Sequence, residues 1–357
     1  MNKDLIFLKK ALELAQQAEG LTSPNPLVGA VIVKKGKVVS KGYHRRAGLP
    51  HAEVEAIKKA KADIKGATLY IGLEPCCHFG KTPPCVDKII ASGIKRVVIA
   101  TLDPNPIVSG KSVKKLKKAG IQVSVGLHQA WAQQINEVFF KNMAQRLPFV
   151  VAKAAQSLDG KTATKNKKSK WITSDAMRLC AKKLRDKYDA VLVGINTVCA
   201  DNPSLDGANK TPFKVVIDPH LRISSDCKLI KNNPQRLIIF TSKCNEHKAW
   251  KMPDRVNIFF LEGKNDKFAL KDVLKKLYKV GIRSVFVEGG SQTLGEFFDS
   301  KLVDKVYFFI APKIIGGKDA LVSVGGEGAS SPNSALNIRD MQSTPVDNGI
   351  LISGYPT

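Results

Sequence analysis

At 357 residues the chain is too long for one ordinary hydrophobic core, and its size points to about two domains. A composition of 43% hydrophobic and 25% charged residues excludes collagen-like and disordered classes, and no apolar run approaches the roughly 20 residues that span a bilayer. The formal net charge of +26 leaves three explanations open: nucleic-acid binding, small phosphorylated ligands, or a lysine-rich solvated surface.

The N-terminal stretch MNKDLIFLKKALELAQQAEG sets Leu5, Leu8, Leu12 and Ala15 at helical spacing with charges between them. It reads as an amphipathic surface helix and not as a signal peptide, so the chain is expected to stay in the cytoplasm. LVGAVIV (27–33) and KVVSKGYH (37–44) read as strands around a Lys35-Gly36 turn. A helix is expected over 51–62, a strand over 67–73, and a helix over 83–93 that opens on proline and closes on glycine. A strand over 96–102, a helix over 112–119 and a strand over 121–126 follow. Strand-helix-strand units of this kind make a parallel sheet covered by helices. The helix over 130–146 ends before Leu147-Pro148, which places a domain boundary there: 1–147 and 148–357.

The second domain reads as eight strands: FVVAKAA, AVLVGI, FKVVID, RLIIFT, NIFFL, SVFVEGG, KVYFFIAPKII and GILISGY. Helices are expected from Ser174, a good N-cap, to about Lys187, and over 269–280 and 292–300. The expectation is two α/β domains, the second rich in sheet and poor in helix.

The lysines fall on expected helix faces (Lys58, Lys59 and Lys61; Lys114, Lys115, Lys117 and Lys118; Lys275 and Lys276), with one basic loop at 165–170. Aromatic residues make up 7%, and no basic stretch interleaves with them as base stacking would require. This argues against a nucleic-acid partner. Seven irregularly spaced cysteines fit a reducing compartment better than a disulfide framework.

Three pieces of the first domain carry chemistry: His51-Ala52-Glu53, Pro75-Cys76 and Cys85. Three protein ligands leave a zinc ion a fourth position for water, whereas a structural site is usually closed by four. A His/Cys/Cys set beside a non-ligating Glu is the equipment of a zinc deaminase, in which the Glu carries the proton from water to the leaving ammonia. Successive positions two apart on a helix diverge by roughly 200°, so His51 and Glu53 share a pocket only on a first, open turn. Cys77 should point elsewhere in an extended segment. His78 is the alternative fourth ligand, and it would close the site.

HAEVEA followed by LEPCCHFGKTPPC resembles the cytidine-deaminase-like superfamily. Eight residues separate the two cysteine ligands where most of that superfamily has two, and this insert resembles the bacterial bifunctional riboflavin-biosynthesis deaminase–reductases. SPNPLVGAVIV (23–33), GYHRRAGLPHAE (42–53) and DPNP (103–106) match the same family, as do KAAQSLDGKTA (153–163), SKWITS (169–174), GINTVCADNPSL (194–205), VEGGSQTL (287–294) and IAPKIIGG (310–317). Read alone, VEGGSQTL is a strand-to-helix turn, or a place where glycines admit a phosphate to a helix start. No G-x-G-x-x-G follows a strand, so a Rossmann domain is not supported. Trp171 alone reads as core, or as the wall of a cofactor pocket.

The resemblance implies a deaminase domain followed by a reductase domain of dihydrofolate-reductase-like fold. It implies zinc at His51, Cys76 and Cys85, proton transfer by Glu53, and Asn25 against the pyrimidine. In the reductase it implies NADPH bound by Ala155, Trp171, Thr197 and Asp201, with Gly289, Gly290 and Ser291 near its phosphates. Substrate contacts fall to Ser169, Arg185, Leu205 and Glu288, with Arg185 on the sugar phosphate and Lys153 a further member of that pocket. The implied partner is a phosphorylated pyrimidine, and the implied assembly a homo-oligomer.

The family usually continues Asn-Pro-x-Leu with Thr and then an Arg that grips the substrate phosphate. Here Leu205 is followed by Asp206-Gly207-Ala208, so that Arg is missing and Asp206 should repel a phosphate. Two outcomes are open: another base, Lys210 or Arg222, substitutes, or the reductase binds its substrate weakly. Pro219 and Ser291 likewise stand where the family more often has Ser and Pro. Three rival readings remain: a nucleic-acid deaminase, a purely structural zinc module, and a chain in which only the deaminase works.

Overall fold

The computed structural model describes residues 3–78, 83–263 and 268–357. Part of the insert between the two cysteine ligands, residues 79–82, lies outside them. The chain divides into two compact units, Met1–Arg146 and Leu147–Thr357.

The first unit runs α1 (Lys3–Gln16), β1 (Gly29–Lys34), β2 (Lys37–Tyr43), α2 (Ala52–Lys59), β3 (Thr68–Ile71), α3 (Cys85–Ala91), β4 (Arg96–Ile99), α4 (Lys111–Lys118), β5 (Gln122–Val125), α5 (Gln129–Ile135) and α6 (Glu137–Gln145). Its sheet has the order β2-β1-β3-β4-β5, with β1 antiparallel to both neighbours and β3, β4 and β5 parallel. Alternation along β1 feeds two cores. Ala30 and Ile32 pack with Ala52, Ala56, Val86, Ile89 and Leu116 from α2, α3 and α4. Val31 and Val33 pack with Leu8 and Leu12 of α1 and Ala132 of α5. The side-chain period of two thus builds a three-layer α/β/α sandwich. Asp4 ties α1 to the sheet, accepting from both Arg96 terminal nitrogens at 2.8 and 2.6 Å and from the Tyr70 hydroxyl at 2.7 Å.

The single helix expected over 130–146 is two. It breaks at Asn136, which is buried and turned inward. Its Oδ1 accepts from the Leu27 N–H at 2.7 Å, and its Nδ2 donates to the Leu27 carbonyl at 3.0 Å. That clamp fixes the chain entering β1. No periodicity signals it, because the partner lies 109 residues away.

The second unit runs β6 (Phe149–Ser157), α7 (Asp175–Arg185), β7 (Ala190–Gly194), α8 (Ile195–Asp201), β8 (Phe213–Ile217), α9 (Lys228–Asn232), β9 (Leu237–Ser242), β10 (Asn257–Leu261), α10 (Leu270–Lys279), β11 (Ser284–Val287), α11 (Ser291–Asp299), β12 (Lys305–Ala311), β13 (Ile338–Val346) and β14 (Gly349–Pro356). The sheet order is β10-β9-β8-β7-β11-β6-β12-β14-β13. The strands from β10 to β12 pair in parallel, and β14 and β13 close the edge antiparallel. Leu270, Val273, Leu274 and Leu277 of α10 and Leu294 and Phe297 of α11 pack on Val150, Leu192, Val215 and Val285 of the strands.

Two expectations are corrected here. The sheet has a ninth strand, β13, and the unit carries the further helices α8 and α9. β13 is nearly all exposed and includes Pro345, so neither apolar alternation nor propensity marks it; pairing with β14 makes it a strand. The register in mid-sheet matters for function. Val287 of β11 lies opposite Ala152 of β6, so Glu288, just past the end of β11, emerges beside Lys153 in the middle of β6.

Candidate active sites

In the first unit, His51 is the N-cap of α2 in extended conformation and Glu53 is the helix's second residue. This is the open first turn that lets both side chains share a pocket. Cys85 opens α3, and Cys76 sits in the loop after β3. The Cys85 N–H donates to Cys76 Sγ at 3.3 Å, and the Val86 N–H to the Cys76 carbonyl at 3.2 Å. His51 Nδ1 lies 3.2 Å from Cys85 Sγ and 3.7 Å from Cys76 Sγ, and the three ligand atoms fall within 4.8 Å of one another.

These distances fit zinc. Bond lengths of about 2.3 Å to sulfur and 2.0–2.1 Å to nitrogen at a tetrahedral angle imply N···S separations of about 3.6 Å. Hydrogen bonding from Cys85, more than the nearby His51, lowers the pKa of the Cys76 thiol and favours the thiolate form that binds metal. Glu53 is buried, and its Oε2 has no protein partner. Burial raises its pKa above the ordinary carboxylate range, as suits a group that takes and returns a proton. Cys77 turns aside toward the Ile107 carbonyl at 4.0 Å. His78 is exposed and stands outside the ligand cluster among the described residues, which leaves the site three protein ligands.

Asn25 enters through His44, which sequence reading did not single out. His44 Nδ1 faces the Pro50 carbonyl at 3.1 Å, an acceptor only, so that nitrogen carries the proton. Burial pushes the His44 pKa down and keeps the ring neutral, so Nε2 accepts from Asn25 Nδ2 at 3.1 Å. The Asn25 amide is thereby fixed with its Oδ1 and second N–H left for a ligand. The His44 ring meets His51 edge-on at 5.3 Å between centroids. Glu74, also buried and also passed over, accepts from the N–H groups of Asp103, Gly110, Ser112 and Val113 at 3.3, 2.9, 3.1 and 3.4 Å. It moors the DPNP loop and the start of α4 beside Cys76.

In the second unit a cleft of 1710 Å³ lies over the strand ends. Typical ligand pockets hold about 300–1,000 Å³, so there is room for a cofactor and a substrate together. Lys153, Ala155, Ser169, Trp171, Arg185 and Thr197 line it, as do Asp201, Leu205, Glu288, Gly289, Gly290 and Ser291. All twelve reductase residues singled out from the sequence therefore converge on one cleft.

On one side, Thr197 Oγ1 accepts from the Gly290 N–H at 3.1 Å. A Cβ on Gly289 would stand 2.5 Å from the Thr293 Cβ, so only glycine lets the chain pass here. Ser169 donates to Asp201 at 3.2 Å. Trp171 is 63% exposed, with Arg178 stacked 4.1 Å from its ring centre. Its reading as core is corrected: it walls the cleft.

On the other side, Glu288 joins Lys153 Nζ at 3.0 Å and Arg185 through Nη2 at 3.0 Å and through Nε. Burial favours the neutral acid, yet the Lys153 ammonium and Arg185 guanidinium outweigh it and hold Glu288 at about 2. Arg185 Nη1 donates to the Asp206 carbonyl at 2.7 Å. Asp206 does not face the cleft as a bare charge. Its carboxylate lies 2.8 Å from the ammonium of the fully buried Lys214, a charge contact poorly aimed for a hydrogen bond. Both substitutes expected for the missing Arg have protein partners of their own, although Arg222 also lines the cleft. Lys210 donates to the Asp186 carbonyl at 3.0 Å, and Arg222 to Asn196 Oδ1 at 2.7 Å beside α8.

Residues 148–352 match the family described as the RibD C-terminal domain, and residues 1–101 match the cytidine and deoxycytidylate deaminase zinc-binding region. The riboflavin biosynthesis protein RibD of Aquifex aeolicus is 47% identical over 341 residues, covering 94% of each chain. That of Bacillus amyloliquefaciens is 42% identical, covering 98% of this chain and 95% of its own. A solved structure from Thermotoga maritima, described as a diaminohydroxyphosphoribosylaminopyrimidine deaminase/5-amino-6-(5-phosphoribosylamino)uracil reductase, is 37% identical with a TM-score of 0.89 and covers 99% of both chains.

Proposed function

The chain belongs to the RibD family of riboflavin-biosynthesis proteins, which join a deaminase to a reductase, and on that premise we propose how its own residues divide the work. It is a bifunctional enzyme that uses zinc and NADPH. The first unit hydrolyses the 2-amino group of 2,5-diamino-6-(5-phosphoribosylamino)pyrimidin-4(3H)-one. The second reduces the ribosyl group of the deaminated product to ribityl.

In the deaminase, zinc held by His51, Cys76 and Cys85 supplies the Lewis acidity that makes water nucleophilic near neutral pH. Glu53 accepts the proton that water loses and passes it to the amino nitrogen, which departs as ammonia while the ring gains a carbonyl. Asn25, held by neutral His44, presents its free Oδ1 and N–H to the pyrimidine edge.

In the reductase, NADPH supplies the hydride. Thr197, Asp201, Trp171 and Ala155 hold the cofactor, with Gly289, Gly290 and Ser291 beside its phosphates. Lys153, Glu288, Ser169 and Leu205 face the sugar in its open-chain form. Arg185 has five N–H donors and three are engaged, so two remain for the substrate phosphate. A cytoplasmic setting and a homo-oligomeric assembly belong to the same reading; seven cysteines free of disulfides support the first.

The observation that carries the reading is the ligand trio within 4.8 Å beside a buried Glu53 oxygen that lacks a partner. The test supplies the pyrimidinone phosphate with NADPH and follows ammonia release and NADPH oxidation separately. Glu53→Gln should retain zinc and lose about 10²–10⁴ in the rate of ammonia release. Undiminished ammonia release would overturn the assignment.

A further inference from the structure

We infer that Lys182 supplies the cation that grips the substrate phosphate in the reductase, replacing the arginine that this chain lacks in the segment 206–208. The inference rests on the reading of the cleft given above.

α7 carries Arg178, Lys182 and Arg185 at spacings of four and three, so they form one stripe, and all three line the cleft. Their states differ. Arg178 is spent on the Thr173 carbonyl at 2.6 Å, on the Asp175 carboxylate and on the Trp171 ring. Arg185 is locked by Glu288 and the Asp206 carbonyl. Lys182 is exposed, and among the described residues its ammonium joins no hydrogen bond or ion pair.

The placement of residue 208 makes the exchange possible. The Ala208 N–H donates to the Lys182 carbonyl at 3.2 Å. The segment is pinned there by Asp186, whose carboxylate accepts from the Asn209 N–H at 3.0 Å and the Lys210 N–H at 3.0 Å. Residues 182 and 208 are therefore neighbours, and Lys182 lines the cleft. A phosphate dianion beside the two free donors of Arg185 lies within reach of either. Lys214 removes the objection from Asp206, since that carboxylate already has its counter-ion away from the cleft. A lysine is a point charge without the planar fork of arginine, so it serves the phosphate's charge and not its geometry.

The test measures NADPH oxidation on the deaminated phosphorylated substrate and on its dephosphorylated counterpart. Lys182→Ala should raise KM for the phosphorylated substrate by about tenfold or more, the scale of one charge-assisted hydrogen bond, with kcat within about twofold. KM for the dephosphorylated substrate should not move. Ala208→Arg placed in the Lys182→Ala background should restore most of the lost affinity, and the NADPH dissociation constant should stay constant throughout. An unchanged KM in Lys182→Ala, or an equal rise for both substrates, overturns the inference. If Arg185→Ala also leaves KM for the phosphorylated substrate unchanged, the underlying reading of the cleft fails with it.

Discussion

Glu288→Gln removes one charge from a buried cluster of three and leaves every atom's place filled. The carboxylate falls from 4.5 to about 2 on folding. At about 1.4 kcal/mol for each tenfold change in acidity, the Lys153 and Arg185 charges stabilise the ionised, folded form by about 3 kcal/mol. Breaking a buried pair from one side costs about 3–5 kcal/mol in other proteins, because the remaining charge is left uncompensated, and the two figures agree. Since the folded pKa lies below the unfolded one, this stability is complete above about 4.5 and is lost as pH falls through about 2. Hydrogen exchange at the protected amides of β6 and β11 is the assay. Under conditions where exchange follows the opening equilibrium, the variant should exchange roughly a hundredfold faster at neutral pH. The first unit's amides should keep their rates. Exchange within threefold of the parent would refute the reasoning, since the cluster would then be neutral to stability.

Two further outcomes follow from other parts of the molecule. Removing the metal with a chelator should stop ammonia release and leave NADPH oxidation on the deaminated intermediate intact, because the ligand trio and the reductase cleft share no residue; parallel loss of both activities would contradict this. Gly29→Ala should lower the melting temperature by several degrees. Its Cβ would stand 2.0 Å from the Ala11 carbonyl oxygen on the backbone of α1, and such overpacking costs about 1–3 kcal/mol; an unchanged melting temperature would mean that α1 moves away at little cost.

The sequence by itself determined what depends on neighbours along the chain. The apolar run before the Lys35-Gly36 turn marked β1, whose side-chain period of two sends it to two cores, and Ser174 marked the start of α7, where its hydroxyl accepts from the Met177 N–H at 3.4 Å. His51, Glu53, Cys76 and Cys85 were legible because metal chemistry demands those residue types, and two of the three ligands sit at or next to helix starts that sequence signals can locate. Tertiary structure alone decided which groups meet across long separations. Asn136 breaks a well-patterned helix to clamp Leu27, and His44 turns Asn25. Arg185 and Glu288, 103 residues apart, spend their charges on each other before any ligand arrives. Asp206 looked repulsive until β8 placed Lys214 beneath it. Local signals are carried by backbone propensity and side-chain period, which the chain repeats every few residues. The pairing of buried polar groups is set by strand order and register, and those come from the assembled sheet.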